Sequence, residues 1–141
     1  MDIRIKLMEG GKAPVYKTSG AACCDCYANL GRDVVIHNGD RKVIPLGFAM
    51  ELPEGYEAVV RPRSGLSRER IDVIIGTIDA DYRNELGALV VNNSSVPIVI
   101  HPGDRICQLK IQKAEQFYFV VATELSKTER NLNGWGSTGI N

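Results

Sequence analysis

Residues 86–111 read LGALVVNNSSVPIVIHPGDRICQLKI. Three apolar runs stand out, Leu86–Asn92, Val96–Ile100 and Arg105–Ile111, each rich in Val, Ile and Leu. The last two are parted by His101-Pro102-Gly103-Asp104, whose Pro and Gly preset a tight reversal. None is long enough for a stable helix, and no 3.6-residue period runs through them, so they predict strands. The same grammar recurs along the chain. Ile3–Leu7, Cys24–Ala28, Asp33–Ile36, Lys42–Pro45, Phe48–Leu52, Glu57–Arg61, Ile71–Ile74, Thr77–Asp79 and Phe117–Val121 are further candidate strands. His37-Asn38-Gly39-Asp40 and Pro53-Glu54-Gly55 supply turns between them. Many short strands without ten-residue helical stretches between them predict an all-β sandwich, barrel or jelly roll. One short helix is expected in Pro62–Arg70, with Ser64 as its N-cap.

The length, 141 residues, suits one domain with a real core. Seventeen basic residues offset seventeen acidic ones, so no global field recruits nucleic acid or an anionic membrane. No apolar run approaches the length of a membrane helix, and MDIRIKLMEGG lacks the apolar core of a signal peptide. A soluble domain is the expectation, cytoplasmic, or host-cell intracellular if the source is viral or phage. Cys23 and Cys26 form a C-x-x-C pair, but only Cys107, His37 and His101 could complete a zinc site, singly and far apart. The cysteines are expected to be reduced, with Cys24 and Cys26 on one strand face as small hydrophobes. The apolar pattern stops near Thr123, which divides the chain into a β-domain, 1–123, and a flexible polar arm, 124–141.

Four segments carry polar chemistry. Gly134-Trp135-Gly136-Ser137-Thr138-Gly139, with Arg130 upstream, combines glycines that let amides approach a phosphate with a ring on which a base can stack. Arg63, Ser64 and Gly65 fall at the start of the expected helix, where amides and a guanidinium suit an anion. Asp79 follows the apolar run Ile74–Ile78, so its carboxylate is expected at a strand end, partly buried, where it could take a proton from an attacking water. The plain alternative is a turn in which Asp79 and Asp81 bond backbone amides. Gln108 is a polar residue in the middle of an apolar strand.

Taken together and in order, these segments resemble the trimeric dUTP diphosphatase (dUTPase) family across essentially the whole chain. Its five motifs match AACCDCYA (21–28), RPRSGLS (61–67), GTIDADYRNELGALVVN (76–92), HPGDRICQLKI (101–111) and RNLNGWGSTG (130–139). The resemblance implies a jelly-roll-like β-clip barrel with one short helix, and a homotrimer with active sites at subunit interfaces. It implies hydrolysis of dUTP to dUMP and pyrophosphate with Mg2+, by water attack on the α-phosphorus, limiting uracil in DNA and supplying dUMP. Asp79 is then the carboxylate that activates water, and Tyr82 the ring under the deoxyribose. The backbone of Gly76, Thr77, Ile78, Asp79, Leu86 and Gly87 reads the uracil edge. Arg63, Ser64, Gly65 and Gln108 hold phosphate oxygens, and Asp25 meets the metal through water. Arg130 reaches the γ-phosphate, Trp135 stacks on the uracil, and Gly136, Ser137 and Thr138 close on the phosphates.

Some positions depart from the family pattern. Cys23, Cys24 and Cys26 replace residues usual in the first motif, and Trp135 replaces a Phe. Asn84 stands where Gly is usual and is expected to tolerate positive φ. Ile74 is expected to tighten the uracil pocket. Two other readings compete. A dCTP deaminase on a related fold would want a Glu in the third motif and no closing arm. A nucleotide-gated binding protein without turnover would not need Asp79.

Overall fold

The computed structural model describes residues 2–129. The elements are β1 (Arg4–Leu7), β2 (Cys24–Tyr27), β3 (Val34–Ile36), β4 (Arg41–Pro45), β5 (Phe48–Glu51), β6 (Tyr56–Arg61), α1 (Ser64–Arg68), β7 (Ile71–Val73), β8 (Gly76–Ile78), β9 (Gly87–Asn92), β10 (Ile98–Ile100) and β11 (Arg105–Lys113). Every strand pairing is antiparallel. The strands form four small sheets, β1-β5, β10-β3, β2-β11-β6-β8 and β4-β9-β7, that enclose one core. This is a jelly-roll-like β-clip barrel.

Alternation builds the core. Along β9 the side chains of Ala88, Val90 and Asn92 are buried and their neighbours half-buried, the period-2 signature of a strand with one face inward. Phe48, Ile36, Ile44, Leu46, Leu86, Ile106 and Leu109 fill the interior, each at most 1% exposed. Asn92 is the polar member of that interior. Its Nδ2 donates to the carbonyls of Ile36 and Val96, and its Oδ1 accepts from Ser94, so no buried amide atom goes unbonded. Reversals fall where Gly adopts φ near +80°, at Gly39, Gly55 and Gly103.

Cys24, Cys26 and Cys107 are buried and free, with Cys26 and Cys107 opposite each other across β2 and β11. Contact with Cys26, and then burial, push the Cys24 thiol up. Contact with Cys107 pushes the Cys26 thiol up, helped by burial and opposed by Cys24. Such thiols stay protonated and pack as hydrophobes. Among the described residues no helix is long and apolar enough to cross a membrane.

Three expectations need correction. Phe117–Val121 is not a strand. Its residues stand 71–100% exposed beyond β11, and no strand among the described residues pairs with them. Ser64 is the first helical residue rather than the cap. Arg63 occupies the N-cap with extended φ/ψ (−101°, 129°) and makes no side-chain capping bond. The strand expected from Val96 begins at Ile98, after Pro97, which has no N–H for a ladder.

Candidate active site

The loop between β8 and β9 closes on a cleft of about 410 Å³, within the range of small-ligand sites. Thr77, Ile78, Asp79, Tyr82, Leu86 and Gly87 line it, together with Val43, Pro45 and Glu85. The first six were expected from the sequence. Val43 and Pro45 were missed because β4 reaches the cleft only through its pairing with β9, Pro45 opposite Gly87, and Glu85 was missed, though it lies in the same loop, because its partner Gly47 is distant in sequence. Ile74 lies outside this lining, half-exposed, with its N–H on the Leu89 carbonyl. It does not tighten the cleft.

The loop is braced before any ligand arrives. Tyr82 N–H donates to the Asp79 carbonyl at 3.1 Å, closing a turn, and Tyr82 OH donates to the Glu85 carbonyl at 3.2 Å. The Arg83 guanidinium bonds the carbonyls of Ala80 and Tyr82. Glu85 Oε1 accepts the Gly47 N–H at 3.0 Å and ties the loop to the turn between β4 and β5. This arrangement needs no positive φ at Asn84. Arg70 is the one non-glycine residue with positive φ among those described.

Asp79 is exposed, not partly buried, because β8 ends one residue before it. β8 is the outer strand of its sheet, so one edge of Gly76–Ile78 has no strand beside it. Leu86 differs from its expected role: its N–H and C=O are bonded to Phe48 and Leu46. Leu46 N–H bonds the Leu86 carbonyl and the Pro45 carbonyl accepts from Asn29, so Pro45 and Gly87 face away from each other, and the Gly87 backbone points to the side of β9 where the pairing with β7 stops at Val90.

A second cluster forms around Asp25. The ladder sets Gln108 of β11 between Asp25 of β2 and Arg61 of β6, and Arg63 follows two residues later. Asp25 is 5% exposed. Its Oδ2 accepts from Arg105 Nη1 at 3.0 Å and its Oδ1 from Gln108 Nε2 at 3.3 Å, with Arg63 Nε 3.8 Å away. Arg63 Nη1 also donates to the Arg105 carbonyl. Burial pushes the Asp25 carboxyl up, but the bonds from Arg105 and Gln108 and the charges of Arg63 and Arg105 outweigh it and hold it below the usual carboxylate range. Ser64 and Gly65 begin α1 beside this cluster, and as first-turn residues their N–H groups have no intrahelical acceptor.

The two groups do not meet within one chain. The register sets Ile78 against Ala58, so Asp79 lies near Glu57, whereas Gln108 lies against Arg61. Four residues along β6 span about 13 Å, and Arg63 lies farther still. Arg130, Trp135, Gly136, Ser137 and Thr138 fall outside the described residues. A divalent metal would want exposed oxygen ligands with room for water. Asp25 does not fit that need. Its oxygens face two guanidiniums and an amide, and it has almost no exposed surface. The described residues contain no group of three His, Cys, Asp or Glu placed to hold a metal.

The fold first defines a class. Over 99% of both chains it superposes on a Staphylococcus bacteriophage 80alpha dUTPase bound to dUPNHPP, with a TM-score of 0.91 at 24% identity. It also covers 88% of this chain and 98% of a dUTPase from phage phi11 of S. aureus, solved to show the coordination of a structural Mg(II) ion, with a TM-score of 0.81 at 22% identity. In sequence, the chain is 45% identical over 141 residues to a deoxyuridine 5'-triphosphate nucleotidohydrolase of Beijerinckia indica, spanning 96% of this chain and 88% of that one. The dUTPase family model matches residues 9–139. The chain belongs to the dUTPase family.

Proposed function

We propose that this protein hydrolyses dUTP to dUMP and pyrophosphate. The observation that carries the reading is an exposed carboxylate, Asp79, on the rim of a nucleoside-sized cleft walled by Tyr82 and an unpaired strand edge. The edge of Gly76–Ile78 and the backbone of Gly87 offer donors and acceptors to a uracil, as a sheet edge does to an added strand. Tyr82, pinned through its hydroxyl, presents a ring to the sugar. Asp79 takes the proton of the water that attacks the α-phosphorus, and the P–O bond to the leaving pyrophosphate breaks.

Arg63, Ser64, Gly65 and Gln108 form the phosphate side, where a fork of N–H donors and free amides suits a polyphosphate. Such charge neutralisation is what lets an anionic ester be attacked. Mg2+ is taken to ride on the substrate's own phosphate oxygens. Arg130, Trp135, Gly136, Ser137 and Thr138 are assigned to closure over the γ-phosphate and the base, with residues 124–141 as the closing segment.

The distance along β6 supports a homotrimer. An α-phosphate at Asp79 cannot also reach the Arg63 cluster of the same chain, so a neighbouring subunit supplies the phosphate side. The exposed run Phe117–Val121 gives subunits an apolar surface to bury.

The test is pyrophosphate release with Mg2+ from dUTP, dTTP, dCTP and UTP at equal concentration. Release from dUTP alone is expected. Ammonia from dCTP would move the protein to the deaminase side of the fold, and dUTP binding without product would make it a switch. Asp79→Asn is expected to lower kcat by about 10²–10⁴-fold while leaving dUTP affinity near that of the parent. A parallel loss of affinity would mean the carboxylate organises the site rather than activating water.

A further inference from the structure

We propose that Lys12, Lys17 and the ring of Tyr27 form a binding site for a phosphate-class anion on the flank of β2, beside the polyphosphate side but separate from the groups assigned to hold the substrate. Only the source of the phosphate rests on the dUTP-hydrolysis reading. The segment that carries both lysines is pinned along β2. Val15 N–H donates to the Asp25 carbonyl at 3.1 Å, and Asp25 N–H donates to the Val15 carbonyl at 2.9 Å. Lys12 and Lys17 flank that bridge in sequence, and both reach the same ring. Their Nζ atoms stand 5.5 and 5.7 Å from the centre of Tyr27, whose negative face attracts each.

Gathering two like charges at one point costs free energy unless an anion answers them. Neither lysine is in an ion pair among the described residues. Glu9 lines the cleft of about 480 Å³ that Lys12 and Tyr27 wall, yet pairs with neither lysine, and the Asp104 carboxylate is turned to the His101 N–H. Gly10, Gly31 and Gly103 leave parts of that wall without side chains, so an oxyanion has room.

The neighbours point to phosphate. Tyr27 stands opposite Arg105 across β2 and β11. Asp25, which Arg105 and Arg63 face, is two residues from Tyr27 on the same strand face, about 7 Å along β2. Lys12 and Lys17, then Arg105, then Arg63 therefore make a row of cations across one sheet face, in a chain whose formal net charge is zero. Such a row concentrates a multivalent anion locally. Ammonium groups are compact point charges that fix no orientation, which suits an anion arriving or leaving better than one held for reaction.

Inorganic pyrophosphate, titrated into the full chain, is expected to shift the Cε–Hε NMR signals of Lys12 and Lys17 and the ring signals of Tyr27 along one saturable curve. Lys6 should not follow it, and chloride at matched ionic strength should not reproduce it. Lys12→Gln with Lys17→Gln should raise the midpoint of the Tyr27 curve roughly three- to tenfold, since exposed charges each contribute modestly. Tyr27→Leu keeps both charges but removes the ring that gathers them, and should raise the midpoint of the lysine curves about threefold. In dUTP hydrolysis the double Gln variant should keep kcat within about twofold of the parent. A raised KM for dUTP would assign the site to the incoming substrate's outer phosphates. A raised pyrophosphate inhibition constant at constant KM would assign it to the leaving product, and neither change would assign it to a phosphate from outside this reaction.

No saturable shift, a shift matched by chloride, or a Tyr27→Leu midpoint equal to the parent's would overturn the proposal. So would a smaller sedimenting species from the double Gln variant, which would make the lysines subunit contacts. If the parent releases no pyrophosphate from dUTP, the functional reading fails by itself, and the pyrophosphate curve still decides the site.

Discussion

Gly87 leaves space that no other residue would. A Cβ built on it would stand 2.7 Å from Val43 Cγ1, and Val43 is β-branched, with little rotamer freedom to yield. Both residues line the cleft beside Asp79, so a methyl group there intrudes on the volume given to the base. Gly87→Ala is expected to raise the dUTP KM about tenfold, a cost of about 1.4 kcal/mol, with a small change in melting temperature. Adding Val43→Ala should return most of the loss, and a double-mutant cycle with no coupling would refute the contact. Asp79 was open to reading as a carboxylate at a strand end, but its role, like those of Tyr82 and Gly87, came from the resemblance of Gly76–Asn92 to the family's third motif. Val43 was not legible, because only the pairing of β4 with β9 brings it to the cleft, and the part of Glu85 was not, because its bond to Gly47 appears only in the fold. Asp25 was legible as a carboxylate, but its partners Arg63, Arg105 and Gln108 come from distant sequence, so its surroundings could not be read.

A second prediction at this scale concerns pH. His101 Nδ1 lies 2.9 Å from Asp33 Oδ1, and that hydrogen bond, followed by the charge of Asp33, raises the imidazole above its ordinary value. A raised folded pKa means the pair stabilises fully below the unfolded value of about 6.5 and is lost as pH rises through the folded value. Asp33→Asn should lower the His101 midpoint measured by NMR. It should reduce melting temperature near pH 5.5 but not near pH 8.5, and an equal effect at both would show that the pair is not electrostatic. Both groups are exposed, so the difference is expected to be small and to shrink with salt.

At the scale of elements, the turn between β4 and β5 is the most constrained connection beside the site. Gly47 has φ +77°, and a Cβ there would stand 2.6 Å from Gly11 Cα and 2.8 Å from Asn29 Cβ. The left-handed backbone alone costs a non-glycine residue about 1–2 kcal/mol, and the clash adds an overpacking term of about 1–3 kcal/mol. Gly47→Ala should therefore destabilise by about 2–5 kcal/mol in urea unfolding. The effect should reach the site, because the Gly47 N–H holds Glu85 and the adjacent Leu46 and Phe48 hold Leu86. Most strands were readable as β-branched runs between turn residues, since a half-buried pleat and a sharp reversal each demand specific side chains. Phe117–Val121 has the same composition as those strands. The sequence pattern says that such a run wants burial, not whether the surface that buries it lies in the same chain.

For the whole molecule that distinction decides the assembly. Phe117, Tyr118, Phe119, Val120 and Val121 stand 71–100% exposed in sequence, too large an apolar run to leave in water. The β6 register keeps Asp79 apart from the Arg63 cluster, so activity on this reading requires a second subunit. The exposed run and the β6 register make separable predictions. Phe117→Asp with Phe119→Asp touches no core residue, so the core strands should keep their circular dichroism. If the proposed homotrimer forms through this run, sedimentation should nevertheless show monomers in place of trimers, and turnover should vanish with the assembly. A chain ending at Thr128 keeps the apolar run and loses Arg130 and Trp135. It should sediment as a trimer with most of its activity gone. Monomers from the truncated chain would place the subunit contacts in residues 129–141 instead. Full activity in a monomeric Asp variant would mean that one chain assembles the site alone, against the spacing along β6.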